Sequence, residues 1–312
     1  MTVLVTGATG FVGRRVAAGL ASRGTPVRAL SRASKHAPQG IESLGGDVLD
    51  PPSLAKVFQA VDSVIHLVAV IREQDRLTFQ RVNYEGTRNV LDAARAAGVR
   101  RLVYASTIGV TSDPSYRYLH SRWLAEQDVA RAGIPFTILR FSVGFGEGDE
   151  FFNVLAAQVK LAPVVPVIGT GRARFQPIAV DDVARCLIAC LDRPDLVDKT
   201  LEVGGPDHLT YDQMLDLVSQ TVGAHTLKLH LPAGMAKPAV WAMERIMTRP
   251  PVTLEQLKML RHDSVTGLDS VETVFGFRPQ PVKGNLDYIK RMGYLDALRI
   301  NMGWMPRQVR DH

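Results

Sequence analysis

Three glycines near the start of the chain have the spacing of a phosphate-binding turn. Gly7, Gly10 and Gly13 form a G-x-x-G-x-x-G pattern. An aliphatic run, Val3-Leu4-Val5, precedes them, and a helical pattern follows. Glycine lets the backbone approach an anion closely, and the N–H groups and dipole of a helix N-terminus favour negative charge. A glycine-rich turn also occurs as a plain loop, but the strand–turn–helix context favours a pyrophosphate site.

The residues after the second predicted strand indicate which nucleotide would bind. In many dinucleotide sites a carboxylate stands here and accepts hydrogen bonds from the ribose hydroxyls of NAD. This chain has Ser31 and Arg32 instead, a hydroxyl and a guanidinium group that suit a 2′-phosphate. The sequence therefore predicts NADP(H) in preference to NAD(H), with NAD(H) as the alternative. Arg32 could also be a solvated loop charge, with Arg14 or Arg15 supplying the positive field.

Alternating strand and helix patterns would position these residues. Such alternation implies right-handed βαβ units, and hence an α/β fold with a doubly wound parallel sheet of Rossmann type. His66 lies within a continuous apolar run, so we expect a core histidine with satisfied hydrogen bonds rather than a metal ligand. The strands are predicted at 2–6, 26–30, 63–68, 101–106 and 136–140, and the helices near 12–23, 52–58, 78–97 and 118–132.

The pattern changes after residue 145, which suggests a second, smaller and mainly helical lobe. We expect this lobe to serve substrate or partner binding. The predicted division assigns 1–145 to a dinucleotide-binding Rossmann domain, 172–205 to a segment returning to it, and 146–171 with 206–312 to the smaller lobe.

Within the second lobe the local signals are weaker. Prolines and glycines over 163–171 predict an irregular stretch, whereas Thr210 is a candidate N-cap for a helix that ends near Val222. Methionine and tryptophan are frequent towards the C-terminus, where they either fill a core or form an adaptable apolar surface for a lipid-like substrate, a membrane or a protein partner. These residues are Met235, Met243, Met247, Met259, Met292, Met302, Met305, Trp241 and Trp304.

Composition narrows the class of protein. The 312 residues are 46% hydrophobic and 22% charged, as in globular proteins with an ample core. No window approaches the roughly 18 apolar residues that span a bilayer, and a strand pattern from Thr2 onward leaves no room for a leader peptide. A cytoplasmic protein, with peripheral membrane contact as an extension, is therefore expected.

Charge and cysteine content bear on partners. Residues 1–145 hold 18 Lys and Arg against 11 Asp and Glu, whereas 146–312 hold 19 against 20. The basic half is the one expected to bind an anionic dinucleotide, and no nucleic-acid motif accompanies it, so nucleic acid is not an expected partner. Cys186 and Cys190 lie four residues apart on a predicted helix, which favours two reduced thiols over a disulfide or zinc site. No metal site is predicted.

Several further motifs resemble one superfamily. Together with the glycine turn they resemble the short-chain dehydrogenase/reductase superfamily, in its extended or atypical form, over nearly the whole chain. Stretches at 136–140, 174–177 and 180–184 are more similar to the NADPH-binding accessory subunit of respiratory complex I and its bacterial relatives. The superfamily motifs are Gly7–Gly13, Gly46–Asp50, Val64–Ala69, Val82–Val90 and Tyr104–Thr107.

The resemblance implies a set of cofactor contacts. The glycine turn would cover the pyrophosphate, the residues after 46 would meet the adenine, and two later segments would line the adenosine and nicotinamide sides. The implied residues are Gly7, Thr9, Gly10, Phe11, Val12 and Gly13 for the pyrophosphate, Asp47 and Val48 for the adenine, Leu67, Val68 and Ala69 for the adenosine side, Phe141 and Val143 for the nicotinamide pocket, and Ser106, Tyr118 and Arg122 as further contacts.

The resemblance also implies a catalytic group. In catalytic members a Ser or Thr orients the carbonyl, and a Tyr exchanges a proton with the substrate oxygen. A Lys four residues later lowers the pKa of that Tyr and holds the nicotinamide ribose. The corresponding residues here are Thr107, Tyr118 and Arg122. Arg122 keeps the positive charge, but its planar guanidinium group is larger than an ammonium group and its N–H donors point in different directions. Catalysis and plain packing with a ribose contact therefore both remain open.

Two functions follow from the sequence. The first is an NADP(H)-dependent oxidoreductase or epimerase acting on a carbonyl, hydroxyl or quinone-like substrate. The second is a catalytically weak or inactive NADPH-binding accessory protein of a respiratory or membrane assembly. Arg122 and the apolar C-terminal end motivate the second, as do Phe141, where many relatives have proline, and Gly109-Val110-Thr111, where Tyr-Gly usually follows the Thr.

Overall fold

The computed structural model describes residues 1–32, 40–247, 250–260 and 262–304. The chain forms two compact units. Unit 1 contains Met1–Phe141 and Val180–Val203, and unit 2 contains Ser142–Ala179 and Gly204–His312. The segment that returns to unit 1 thus begins at Val180, later than the 172 expected from the sequence.

Strands of the described chain are short and mostly parallel. They are β1 (Val3–Thr6), β2 (Val27–Ser31), β3 (Ile41–Gly45), β4 (Ser63–His66), β5 (Arg101–Thr107), β6 (Phe136–Phe141), β7 (Gly144–Phe145), β8 (Val164–Ile168), β9 (Arg174–Phe175), β10 (Ile178–Ala179), β11 (Lys199–Val203), β12 (Leu209–Thr210) and β13 (Leu227–Leu231).

Helices alternate with the strands in unit 1 and dominate the later part of unit 2. They are α1 (Phe11–Ser22), α2 (Pro51–Val57), α3 (Gly86–Ala96), α4 (Arg117–Arg131), α5 (Phe151–Leu161), α6 (Val180–Ala189), α7 (Tyr211–Val222), α8 (Ala233–Ile246), α9 (Leu254–Met259), α10 (Ser270–Phe275) and α11 (Tyr294–Asn301), with a π-helix at Gln80–Glu85 and 3-10 turns at Pro194–Leu196 and Asp287–Arg291.

Unit 1 is built on one parallel sheet of seven strands, in the order β3-β2-β1-β4-β5-β6-β11. This confirms the doubly wound Rossmann fold. The strand order reverses between β1 and β4, where Val5 pairs with Ala29 on one side and Ile65 on the other. In such sheets ligands bind beyond the carboxyl ends of the strands at this reversal.

The central strands are apolar because both faces of the sheet are covered. Leu4, Ile65 and Leu102 are fully buried. Helices α2, α3 and α4 contribute to one core cluster with residues of these strands, and α1 packs with α6. Cys186 on α6 and Cys190, the residue directly after that helix, are buried free thiols.

An ion pair fixes the helix that carries much of the candidate site. On β6, Arg140 donates through Nε and Nη2 to the carboxylate of Glu126 on α4, at 3.0 and 2.6 Å. Glu126 is buried, and this hydrogen bond raises the pKa of Arg140. Arg140 therefore has a structural role that holds α4 against the sheet.

The strands β3 and β8 are two of those that sequence reasoning missed. The edge strand β3, Ile-Glu-Ser-Leu-Gly, is half exposed and lacks the continuous apolar run of a central strand. The expectation of an irregular stretch over 163–171 was wrong for β8, which pairs in parallel with β13 and places Pro166 beside Leu229. Proline is tolerated here because a two-stranded sheet has open edges that need no donor.

Unit 2 has its own core, formed mainly by α5, α7 and α11. Phe152, Leu155, Met214, Leu215 and Ile300 are buried within it. None of the helices in the described part of the chain is long and apolar enough to cross a bilayer.

The predicted N-cap of α7 is confirmed. Thr210 Oγ1 accepts the Gln213 N–H at 3.2 Å, and Gln213 Oε1 accepts the Thr210 N–H at 2.8 Å, which forms a complete capping box.

Candidate functional site

The glycine turn lies where β1 ends and α1 begins. Gly7 has a φ of +71°, and a Cβ there would come within 3.3 Å of the backbone of Leu67 and Val68. A Cβ on Gly13 would stand 2.1 Å from Gly7 O. The turn therefore closes tightly on itself and on the loop after β4, and only glycine fits at these two positions.

The N-terminus of α1 is left open. Gly10 is its N-cap, no side chain caps the helix, and its first turn contains no acidic residue. Thr9 and Gly10 are exposed, and Phe11 and Val12 are half-buried. The first N–H groups of a helix have no partner within it, so this end of α1 presents free donors and a positive dipole to an anion.

Three arginines were candidates for the positive field at this end. Arg32 follows β2 directly and is exposed, beside the buried Ser31. Arg15 forms an ion pair with Asp181 at 3.0 Å, which compensates its charge. Arg14 lies on the first turns of α1 and is half-buried. Of Arg15 and Arg32, only Arg15 forms an ion pair with a described carboxylate.

Asp47 and Val48 lie in a turn stiffened by side chains. Asp47 Oδ1 accepts the Leu49 N–H at 2.9 Å, and the Ser53 hydroxyl accepts the Asp47 N–H at 3.0 Å. Asn89 donates to Val48 O at 2.8 Å. The Asp47 carboxylate is thus held in a fixed orientation after β3.

His66 is a neutral histidine inside a hydrogen-bonded chain. The Thr87 hydroxyl donates to Asn83 O at 2.7 Å, so at 3.0 Å it accepts the proton on His66 Nε2. His66 Nδ1 then accepts from the Thr6 hydroxyl at 2.6 Å, and that oxygen accepts the Leu67 N–H at 3.2 Å. Burial, reinforced by a nearby arginine cation, lowers the pKa of His66 to about 3. The prediction of a satisfied core histidine is confirmed.

Asn83 joins two parts of the site and was not singled out by sequence reasoning. It lies in the π-helix Gln80–Glu85, a form common at functional positions. Its side chain accepts the Val70 N–H at 2.8 Å and donates to Val70 O at 3.1 Å. It also donates to Ser121 Oγ at 3.2 Å, and Ser121 donates to Tyr118 O at 2.7 Å. The signals in the sequence are its place in the motif Val82–Val90 and the presence of an amide on the apolar face of a helical pattern.

Tyr118 lies on the first turn of α4, against Thr107 at the end of β5. Burial raises the pKa of the Tyr118 phenol, and the Arg122 cation and a hydrogen bond with Thr107 partly offset that rise. The ring packs edge-on to Phe79 at 5.5 Å between centroids. The structure thus brings the three catalytic candidates together, with a protonated phenol at neutral pH.

Arg122 is almost completely buried one turn further along α4. Its Nη2 donates to Ala105 O, and its guanidinium lies over the Tyr104 ring, 4.7 Å from the centroid. Among the residues that the structure describes, Nε and Nη1 of Arg122 have no hydrogen-bond partner, and neither has the buried hydroxyl of Ser106. Buried donors of this kind are costly unless a ligand satisfies them.

The remaining candidates fall in both units. Phe141 ends β6, is buried, and pairs with Thr107 in the sheet register. Ala69 is exposed in the loop after β4. Val143 belongs to unit 2, where its carbonyl accepts the Ile178 N–H at 3.0 Å.

These features of unit 1 fit a dinucleotide. The open end of α1 suits a pyrophosphate. The unpartnered hydroxyl of Ser106 lies near the carboxyl end of β5, two strands from β1 in the same sheet, and Arg122 on α4 contacts Ala105 beside it. Comparison with known proteins gives the family. Residues 3–204 match the model of the NAD dependent epimerase/dehydratase family. The chain belongs to this family. It is an NAD(P)-binding protein, and its resemblance to the extended short-chain reductases is confirmed.

Proteins similar to this chain are named for different roles. It is 28% identical over 275 residues to NADH dehydrogenase [ubiquinone] 1 alpha subcomplex subunit 9 of Arabidopsis thaliana, covering 85% of this chain and 68% of that protein. It is 30% identical over 235 residues to ceramide reductase of Caulobacter vibrioides, covering 74% and 73%. The crystal structure of gox2253 superposes with a TM-score of 0.73 at 26% identity, covering 97% and 99%.

Proposed function

We propose that this family member is an NADP(H)-dependent oxidoreductase that interconverts a carbonyl and a hydroxyl group on an apolar or amphiphilic substrate. One observation carries the proposal: the hydrogen bond between Thr107 and Tyr118 lies beside the buried cation of Arg122. An epimerase that takes up hydride and returns it would use the same three residues.

The chemistry divides between cofactor and protein. The nicotinamide ring, when bound, supplies or accepts the hydride. Tyr118 donates the proton that the carbonyl oxygen needs as it becomes a hydroxyl, since its raised pKa keeps the phenol protonated at neutral pH. Thr107 donates a hydrogen bond that orients the same oxygen. Arg122 stabilises the negative charge left on the Tyr118 oxygen.

The cofactor site is assigned to the amides of the glycine turn and to the segment after β2. Helix α1 offers its N-terminal N–H groups to the pyrophosphate, and Asp47 accepts from the adenine amine. Ser31 and Arg32 bind the 2′-phosphate, because a guanidinium and a hydroxyl replace the carboxylate that would repel it. Leu67 to Ala69 line the adenosine side.

The cofactor assignment is tested with Arg32→Ala. We expect NADPH to bind at least about tenfold more weakly and NADH to be nearly unaffected, because only NADPH carries the 2′-phosphate. Calorimetric titration of both nucleotides measures this. Arg15→Ala is the matched control, since Arg15 is paired with Asp181. Equal losses for the two nucleotides would contradict the assignment.

The substrate class is supported by relatives and by composition. A relative 30% identical to this chain is named a ceramide reductase, and the C-terminal part of this chain is rich in methionine and tryptophan. An apolar carbonyl compound or a quinone is therefore the substrate class to test first.

The reaction is tested by following NADPH absorbance with long-chain ketones and quinones. Tyr118→Phe removes the proton donor, and we expect turnover to fall by about a hundredfold or more while NADPH affinity stays within a few-fold. Tyr84→Phe removes a hydroxyl elsewhere in unit 1 and serves as the control. Turnover that survives Tyr118→Phe would refute the assignment of Tyr118.

A second function is favoured by the contacts of Arg122. Its Nη2 donates to Ala105 O and its plane covers Tyr104, so the compact bridge that a lysine makes to ribose is altered. A relative is a subunit of NADH dehydrogenase. An accessory protein that holds NADPH without reaction is the alternative. It predicts NADPH retained through purification and no turnover, even after Arg122→Lys.

A further inference from the structure

Helix α8 in unit 2 is apolar on the side that faces solvent. Its 14 residues bury only Ala236 and Val240. Met235 is 71% exposed, Ile246 83% and Trp241 52%. A large exposed apolar surface on a helix that fully buries only two side chains is unusual and indicates a binding surface.

The exposed apolar residues form a stripe. Met235, Ala239, Ala242 and Ile246 recur at i, i+4, i+7 and i+11, which places them along one face of the helix, where Ala242 is half-buried and the other three are exposed. Ala236 and Val240 lie on another face. The helix therefore has one apolar face that packs on the protein and a second apolar face that is exposed to solvent.

The cations of α8 lie on a second row of residues, because Lys237, Trp241 and Arg245 recur at i, i+4 and i+8, and of the two cations Arg245 lies nearer to the stripe. Lys237 and Arg245 are exposed, and no described carboxylate forms an ion pair with either. Arg245 lies over the Trp241 ring, 4.8 Å from the centroid. Glu244, the acidic residue of α8, accepts the Leu254 N–H at 3.0 Å and so is held by α9.

The sequence around α8 also has a net positive charge. Residues 226–262 hold 6 Lys and Arg against 2 Asp and Glu, although residues 146–312 as a whole hold 19 against 20. Basic charge is thus concentrated in the segment that contains the exposed apolar stripe. Apolar and basic residues on one exposed helix match a bilayer surface that contains anionic lipid.

We propose that α8 docks this protein on an anionic membrane surface. The stripe from Met235 to Ile246 enters the boundary between head groups and acyl chains, and Trp241 lies at head-group level. Arg245 contacts the lipid phosphates, and Lys237, further round the helix, adds to the electrostatic attraction of the anionic surface. The inference does not rest on the proposed reaction, because it concerns binding to lipid alone.

The test is co-sedimentation of the full chain with vesicles of phosphatidylcholine, alone or with about 30 mol % phosphatidylserine. We expect pelleting with the anionic vesicles only, and its loss at about 0.5 M salt. The double variant Met235→Asp/Ile246→Asp lowers partitioning by about tenfold or more. Lys237→Gln/Arg245→Gln lowers it by about twentyfold, since each cation contributes about fivefold near such a surface.

The control is Leu268→Asp, which makes the same kind of change at an exposed leucine of unit 2 outside α8. Circular dichroism and thermal unfolding check that each variant folds. If the wild-type protein did not pellet with anionic vesicles, the proposal would be overturned. An equal loss of vesicle binding in Leu268→Asp would also overturn it. So would a wild-type dimer in sedimentation that the α8 variants dissociate, because α8 would then bind a second copy of the chain.

Discussion

Helices α1 and α7 begin in different ways, although both follow a short strand. Helix α7 starts at Thr210, whose side chain and that of Gln213 satisfy each other's backbone N–H groups. Helix α1 starts at Gly10 with no side-chain cap. A cap contributes about 1 kcal/mol of stability, so its absence from α1 leaves donors that a ligand can use. A helix start can therefore be optimised for folding or for binding an anion, and the residue type at the N-cap distinguishes the two.

The two units also differ in how much apolar surface they expose. Of the large hydrophobic side chains that are exposed in the described chain, only Met1 and Ile71 belong to unit 1. The others lie in unit 2, where α8 and α11 expose three each. Unit 1 thus buries nearly all of its large apolar side chains, whereas unit 2 leaves many of them exposed to solvent.

Gly13→Ala tests the tightest backbone contact of unit 1 and has the largest expected effect. The new Cβ would stand 2.1 Å from Gly7 O and 2.7 Å from Ala8 Cα, and backbone atoms cannot move aside as side chains do. We expect a loss of about 3 kcal/mol or more in the free energy of unfolding. Hydrogen exchange of unit 1 peptides measures it.

Gly45→Ala is the control for this substitution, because a Cβ there meets nothing within 4 Å. Its free energy of unfolding should change by less than about 0.5 kcal/mol. Equal stability of the two variants would show that the turn is not closed as described.

The buried titratable groups predict opposite pH dependences in the two units. In unit 1 the pKa of His66 falls from 6.5 to about 3, because burial disfavours the cation. The stability it contributes is complete above pH 6.5 and is lost as the pH falls towards 3, by up to about 1.4 kcal/mol per pH unit. His66→Gln should be less stable at neutral pH, and the protection factors of its unit 1 peptides should not fall in this way as the pH is lowered.

In unit 2 burial raises the pKa of Asp149 from 3.8 to about 7, although the Tyr288 hydroxyl and the Phe152 and Gly146 N–H groups donate to it. A carboxyl whose pKa is raised by folding stabilises the unit below pH 3.8, and that contribution is lost as the pH rises to 7. Protection factors in α5, which correct the exchange rate for the intrinsic effect of pH on amides, should therefore rise on acidification from pH 7 to 5, and Asp149→Asn should abolish the change. Stability that changes with pH in the same direction in both units would contradict this prediction.

Thr210→Ala has the smallest expected effect. It removes the cap of α7 and should lower the stability of that helix by about 1 kcal/mol. Exchange rates of peptides from Tyr211–Val222 measure the change. Thr210→Ser keeps the hydroxyl and should restore most of the protection, whereas a loss equal to that of Thr210→Ala would show that the cap contributes nothing.

Sequence reasoning succeeded where the pattern is local. The strands at 101–106 and 136–140 were placed within a residue of β5 and β6, because strands covered on both faces are continuous apolar runs. Thr210 was found because its signal lies within four residues. The edge strand β3 and the pairing of β8 with β13 were missed, since an edge strand is only half apolar and the partners are separated by some 60 residues of chain.

The sequence by itself determined the fold class, the family and the open, uncapped start of α1, because each depends on residue type and spacing within a short stretch. The tertiary structure alone decided that Thr107 hydrogen-bonds Tyr118, which atoms of Arg122 remain unpartnered, and that His66 is neutral. These properties depend on groups brought together from distant parts of the chain and on their removal from water. Neither periodicity nor composition records such contacts.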